Sequence, residues 1–456
     1  MYSPIAVRIT ALYLPVTAAA IAALIRRPRP RQFAACLLSV LWVLCTLLVL
    51  QHLNQSQFLW RLSDSAVSQA IRANPALQQR YGQANWWSFA PSPFRILSMP
   101  LELYLGWAVL WGLVPQLAFH RLDPPEVAVL MGALDLWMMP FCSPVVRFNP
   151  NWLTGEALIL LLVLLPALYI ARWTLNATHL NLRAAMQVAL SGLTFLFLLP
   201  EIIFAVRPGV GWQPLLQMPS WQRQLLIQLL LLLAVPGVSA VMEFAQRGHG
   251  TPIPYDPPQR LVTSGIYRYC ANPMQLSCAL VMLLWSAMLH NPWLALAAIM
   301  ATLYSAGIAE WDEMQDLAQR FSPAWQSYHA AVPAWRIRWR PYHAGPSARL
   351  YISRTCGPCS ELRAWLTARR PLGLDLIDAE TLPSGSIRRL RYDPADETPP
   401  VEGIRAVARA LEHLNLGWAY CGLALRLPIL RQSIQLLMDA SGFGPRILGE
   451  RYSRQA

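Results

Sequence analysis

The spacing of its long apolar runs constrains this chain more than any other feature. Such runs lie at about 9–25, 33–53, 98–119, 124–142, 155–173, 184–206 and 222–244, and an apolar hairpin covers about 276–307. A hydrocarbon layer about 30 Å thick is crossed by about 20 helical residues. Inside it every backbone amide must find a partner within the protein, and a helix supplies one along its own length. The pattern predicts a mainly α, polytopic bundle of about nine transmembrane helices. Asn291-Pro292 splits the hairpin, because proline starts a helix far better than it continues one. With 55% hydrophobic and 13% charged residues, the chain is not composed like a soluble globular protein.

Charge narrows the function classes. The net charge of +13 is carried by arginines scattered through short loops, with no basic domain interleaved with aromatics, so nucleic acid is not an expected partner. The sequence contains no lysine, which excludes a Schiff-base lysine and a phosphate-binding Walker lysine. No dinucleotide-type glycine fingerprint is present, so a soluble-type methyltransferase fold is not supported. Arginine also sets topology, since short cytoplasmic loops carry the excess positive charge. Arg26, Arg27, Arg29 and Arg31 place the first loop inside, and the amino terminus then falls outside. Alternation puts the loop from 54 to 97 outside, the stretch from Arg247 to Arg268 inside, and the carboxyl-terminal region in the cytoplasm, as expected for a bacterial inner-membrane protein. A cleaved signal peptide fits the first run poorly, because its positive cluster follows the apolar stretch.

Four carboxylates lie in or beside apolar runs: Glu102, Asp135, Glu156 and Glu201. Ionisable groups at membrane depth are costly and tend to mark function. Glu102 and Glu156 sit near helix starts, where the dipole favours an acid, so Glu201 is the best candidate of the four to touch a substrate. Trp86, Trp87 and Phe89 read as an interfacial anchor.

The stretch from Gly250 to Trp335 carries the first chemistry. A Pro-rich loop leads into Leu261-Val-Thr-Ser-Gly-Ile-Tyr267-Arg-Tyr-Cys-Ala-Asn272-Pro273, then the hairpin, then Glu310-Trp-Asp-Glu313. Read alone, Asn272-Pro273 is a helix cap followed by a first-turn proline. Glu310 and Glu313 share one helical face directly after a span, against the positive-inside tendency. The stretch from about 220 to 340 resembles the isoprenylcysteine carboxyl methyltransferase and phospholipid methyltransferase family. The resemblance rests on Leu261, Val262, Thr263, Gly265, Tyr267, Asn272 and Pro273, and on Glu313, Leu317, Phe321 and Tyr328. It departs from the family pattern at Ala271, where arginine is usual, and at Gln275, Met314, Ser322 and Trp325. The resemblance implies an integral-membrane enzyme using S-adenosylmethionine, with Tyr267, Asn272, Pro273, Glu310 and Glu313 at the cofactor site. The cofactor's sulfonium and ammonium would meet those carboxylates where water is partly excluded. Arg260 and Arg268 are candidates to hold a carboxylate- or phosphate-bearing acceptor.

Past Arg336, Arg338 and Arg340, the run Ala348-Arg349-Leu350-Tyr-Ile352 reads as a strand. Cys356-Gly-Pro-Cys359 and a helix-patterned segment follow. Strand, C-x-x-C and helix is the thioredoxin arrangement, in which a helix start activates the first thiol. With a later helix at Val401–Leu411 and an apolar segment from Trp418 to Leu437, this region resembles the DCC-type thiol-disulfide oxidoreductase-like family. That resemblance implies a catalytic dithiol, a protein thiol partner, and a cis proline facing the dithiol at Pro400 or Pro399. No second pair or nearby histidine completes a zinc site.

The resulting expectation is three regions: membrane helices over 1–215, a membrane methyltransferase-like domain over 216–341, and a cytoplasmic α/β thioredoxin-like domain over 347–456. The leading function is methyl transfer from S-adenosylmethionine to a membrane lipid or isoprenoid-like acceptor. The alternative is a membrane-anchored thiol-disulfide oxidoreductase or scaffold with a degenerate methyltransferase site.

Overall fold

The structure is a computed structural model that describes residues 3–55, 86–149, 151–207, 209, 211–252, 256–383, 388–396, 398–443 and 445. Among the described residues, seven helices are long and apolar enough to cross a membrane: α1 (Pro4–Arg26), α2 (Pro30–Gln55), α3 (Leu101–Ala118), α4 (Pro124–Cys142), α5 (Trp152–Leu175), α6 (Leu180–Val206) and α7 (Ser220–Gly248). Two shorter apolar helices, α8 (Pro273–Met288) and α9 (Pro292–Gly307), form the expected hairpin. The protein is therefore an integral membrane protein, built mainly of helices. The helix starts follow local chemistry. Ser3 accepts a hydrogen bond from Ala6 N at 3.1 Å with Pro4 in the first turn, and Asp123 with Glu126 forms a capping box before α4.

The chain divides into two compact units. One holds residues 1–217, 251–257 and 289–294; the other holds 218–250, 258–288 and 295–456.

The first unit packs α1 to α6 around a core that includes Leu48, Leu103, Trp111, Val163 and Ile170. Strands β1 (Trp87–Phe89) and β2 (Val146–Phe148) pair antiparallel at its edge. Trp86 and Trp87 are buried here, a correction to the interfacial anchor expected from sequence. They lie over Gly155, where an added Cβ would come within 2.3 Å of Trp87, and the Asn54 carboxamide binds Trp86 N at 2.6 Å and Trp87 O at 3.0 Å. The rest of that predicted loop, 56–85, lies outside the described residues. Glu102 pairs with Arg8 at 2.5 Å, and Glu201 accepts from Trp212 Nε1 at 2.7 Å.

In the second unit α7 packs on α8, and α10 (Glu310–Phe321) and α11 (Ala324–Ala331) follow α9. A four-stranded sheet comes next: β3 (Ala348–Ile352), β4 (Leu374–Asp378), β5 (Arg391–Asp393) and β6 (Val401–Glu402), in the order β4-β3-β5-β6. β3 and β4 run parallel and are joined through α12 (Gly357–Ala368), while β5 and β6 are antiparallel to their neighbours. The helix expected from Val401 begins three residues late, because Val401 and Glu402 pair with Tyr392 and Arg391 as an edge strand. Helices α13 (Ile404–Leu411), α14 (Leu416–Arg426) and α15 (Pro428–Met438) close the unit. The cis proline expected at Pro400 or Pro399 is absent; among the described residues the cis peptide is Ser322–Pro323.

Candidate functional site

The end of α7, the loop 258–272, α10, α11 and the segment 332–342 meet in the second unit. The loop is held by its backbone. Ala271 N donates to Pro333 O at 3.0 Å and Asn272 N to Ala334 O at 3.2 Å, while Arg338 N and Tyr342 N donate back to Tyr269 O and Arg268 O at 3.0 and 2.9 Å. Irregular backbone pairs its polar groups this way when it cannot form a helix or a sheet. Side chains add to the lacing: Tyr328, buried on α11, donates its hydroxyl to Tyr267 O at 2.8 Å.

These elements enclose a pocket of about 550 Å³ of empty space, part of it open to solvent. Phe244, Leu261, Val262, Leu317 and Trp325 make its walls apolar, and Tyr267, Asn272, Glu310, Glu313, Tyr328 and His329 bring polar groups to it. A few convergent polar groups on an apolar lining are the ordinary composition of a small-molecule site. The rings of Trp325 and His329 lie with centroids 5.1 Å apart, tilted 31° to one another. Glu310 is fixed by Trp335 Nε1, which donates to its carboxylate at 2.8 Å. Glu313 keeps an exposed edge, yet the surrounding protein raises its pKa by desolvation first and by Glu310 and Asp316 second. A cation entering the pocket would relieve both effects. Burial likewise pushes the Tyr267 and Tyr328 hydroxyls up, so both stay protonated as donors.

Of the residues singled out in the sequence, Tyr267, Asn272, Glu310 and Glu313 line this one pocket. Pro273 opens α8 beside it without lining it. Ala271 lines it, and no arginine occupies the position the family pattern fills with one. Neither Arg260 nor Arg268 is in the lining; the Arg268 guanidinium lies 3.1 Å from His413 Nδ1 instead. His329 and Phe244 went unnoticed in the sequence because each is a single residue on a helix, with no spacing signal.

The phospholipid methyltransferase family model matches residues 229–321. That is about a fifth of the chain and takes in most of α7, the loop, the hairpin and α10. The pocket residues from Phe244 to Leu317 fall inside the match, while Trp325, Tyr328 and His329 lie beyond it. No curated protein and no solved structure matches the chain. The match indicates a methyltransferase embedded in the membrane.

The sheet region carries the second set of singled-out residues. Cys356 stands at the N-cap position of α12, after the short loop that follows β3, and Cys359 Sγ lies 2.7 Å from Cys356 Sγ. In the loop before Cys356, Ser353 Oγ and Arg354 N donate to Glu380 at 2.7 and 2.9 Å. Desolvation raises the pKa of Glu380, but these hydrogen bonds outweigh it and bring it below the usual range.

Proposed function

We propose that this protein is an integral-membrane methyltransferase that binds S-adenosylmethionine in the pocket around Glu310 and Glu313 and acts on a membrane lipid or isoprenoid-like acceptor. One observation carries the reading: two carboxylates from the family-matched segment and an aromatic pair just beyond it converge on an apolar pocket beside an apolar helical hairpin. The donor set fits the group. Glu313, with Glu310 held by Trp335, suits a sulfonium and an ammonium; Trp325 and His329 suit a purine face; the apolar wall suits an alkyl chain. When bound, S-adenosylmethionine supplies an electrophilic methyl group. The protein's own task is then to orient, to exclude water and to hold charge, which is the bulk of what such a displacement requires. Phe244, Leu261 and Leu317 exclude water, and the Tyr328–Tyr267 bond fixes the loop that presents Asn272. The arginine distribution supports placing this face on the cytoplasmic side of the membrane.

The test is transfer of a radiolabelled methyl group from S-adenosylmethionine to a total membrane lipid extract, read as label in the organic phase. The reading requires label with the wild-type protein and a loss of tenfold or more with Glu313→Gln. Absence of label across lipid classes would count against it.

A second activity has its own observation. Cys356 and Cys359 lie at the start of the helix that joins two parallel strands, the setting in which a C-x-x-C pair serves thiol-disulfide exchange. We infer a dithiol that exchanges with a protein thiol partner. Its measure is the equilibrium with glutathione buffers, with Cys359→Ser trapping the mixed disulfide at Cys356.

A further inference from the structure

Deep in the second unit, the sheet region and the pocket-bearing segment share a buried cluster of charges. Glu243, fully buried near the end of α7, receives Arg409 Nη1 from α13 at 2.9 Å on both carboxylate oxygens and Arg426 Nη2 from α14 at 2.5 Å. Glu412 binds the same two arginines at 3.1 and 2.8 Å. Arg247 lies 2.9 Å from Glu243 and also contacts Asp396, so three arginines face three carboxylates. Asp396 reaches solvent, but Glu243 and Glu412 lie so far from water that they persist as charges only when paired and hydrogen-bonded.

The cluster reaches the pocket through one carboxylate. Glu243 Oε1 accepts from Ser264 Oγ at 2.5 Å, and the next residue, Gly265, sits at φ 60° with its Cα face against the Glu243 side chain, where an added Cβ would come within 3.1 Å of it. Two residues on, Tyr267 lines the pocket, and Phe244, the neighbour of Glu243, lines it from the other side. Ala419 and Leu423 of α14 complete the packing on Ile266, Tyr267 and Tyr269, and Tyr269 donates its hydroxyl to Glu412 O at 3.1 Å.

We propose that Arg409 and Arg426 are positioning residues for the pocket: through Glu243 they fix the turn 264–267, so the sheet region is a required part of the binding site although it contributes no group to it. As a statement about binding, this rests on the cofactor reading; as a statement about the turn, it stands apart from it.

The experiment compares the full-length protein in detergent with Arg409→Gln, Arg409→Lys and Ser264→Ala. The first readout is amide hydrogen exchange over Val262–Tyr269 without ligand, with β3 amides as the internal reference. The second is calorimetric titration with S-adenosylmethionine. Arg409→Gln and Ser264→Ala should speed exchange in the turn tenfold or more and leave β3 protected, with Arg409→Lys in between; affinity should fall in the same order. Turn exchange unchanged in Ser264→Ala, or faster exchange confined to the sheet region in Arg409→Gln, overturns the proposal. If the wild-type protein binds no S-adenosylmethionine, the cofactor reading fails, and the exchange data still decide the positioning role. If Arg409→Gln does not fold, Ser264→Ala decides it, since that change removes a single hydroxyl.

Discussion

Both units bury carboxylates, and they treat them in opposite ways. In the second unit, Glu243 and Glu412 are surrounded by Arg247, Arg409 and Arg426, and their oxygens are hydrogen-bonded. In the first unit, Asp135 on α4 and Glu156 on α5 are buried as neighbours. Both Glu156 oxygens and Asp135 Oδ2 lack a hydrogen-bond partner among the described residues. The difference teaches that burial alone does not define the role of a membrane carboxylate. The paired network welds elements together, whereas the acid pair has no cation beside it among the described residues.

The sharpest way to break this comparison is to delete one charge from each unit. Glu243→Leu leaves buried arginines without their central partner, and removing one member of such a pair costs roughly 3–5 kcal/mol. Thermal unfolding should show it as the largest loss of the set. Glu313→Gln should leave stability nearly intact but weaken cofactor binding by roughly 1.4–2.8 kcal/mol, a factor of about 10 to 100. The sign with pH follows from the raised pKa of Glu313. The ionised form attracts a cation, so affinity should climb as pH rises through that pKa, above the ordinary 4.5, and the climb should flatten in the variant.

His413 sharpens the contrast within the second unit. Burial first and Arg268 second hold its pKa well below the ordinary 6.5, and Tyr392 and Leu372 O contact its two nitrogens at 3.0 and 2.8 Å. A base whose folded pKa is lowered stabilises the fold above its unfolded pKa and loses that contribution as pH falls. The melting temperature of the wild-type protein should therefore drop as pH falls below 6.5, more steeply than in His413→Asn. Tyr328→Phe should cost about 1 kcal/mol, the worth of one buried hydrogen bond. At the small end, Asp135→Asn should change thermal stability little, because the carboxamide fills the same space beside Glu156 and keeps a hydrogen-bonding group there.

The sequence foretold the membrane architecture well, because an apolar run of spanning length is a local signal that no distant contact can overrule. The hairpin break at Asn291-Pro292 and the strand at Ala348–Ile352 were legible for the same reason. The pocket was half legible. Tyr267, Asn272, Glu310 and Glu313 stood out through their motif, but Arg268 was assigned by charge alone and turns to His413. The buried network was not legible at all: Arg409 and Arg426 meet Glu243 across 166 and 183 residues, and nothing in an arginine's local spacing names so distant a partner. Trp86 and Trp87 misled because a tryptophan pair reads equally as a membrane anchor or as core, and Gly155 decided for core.

Calorimetric titration of the detergent-purified full-length protein with S-adenosylmethionine, beside Glu313→Gln, tests the central claim most directly. Micromolar binding by the wild-type protein, weakened tenfold or more in the variant with its fold intact, is the predicted result. A well-folded wild-type protein that takes up no S-adenosylmethionine would contradict the account.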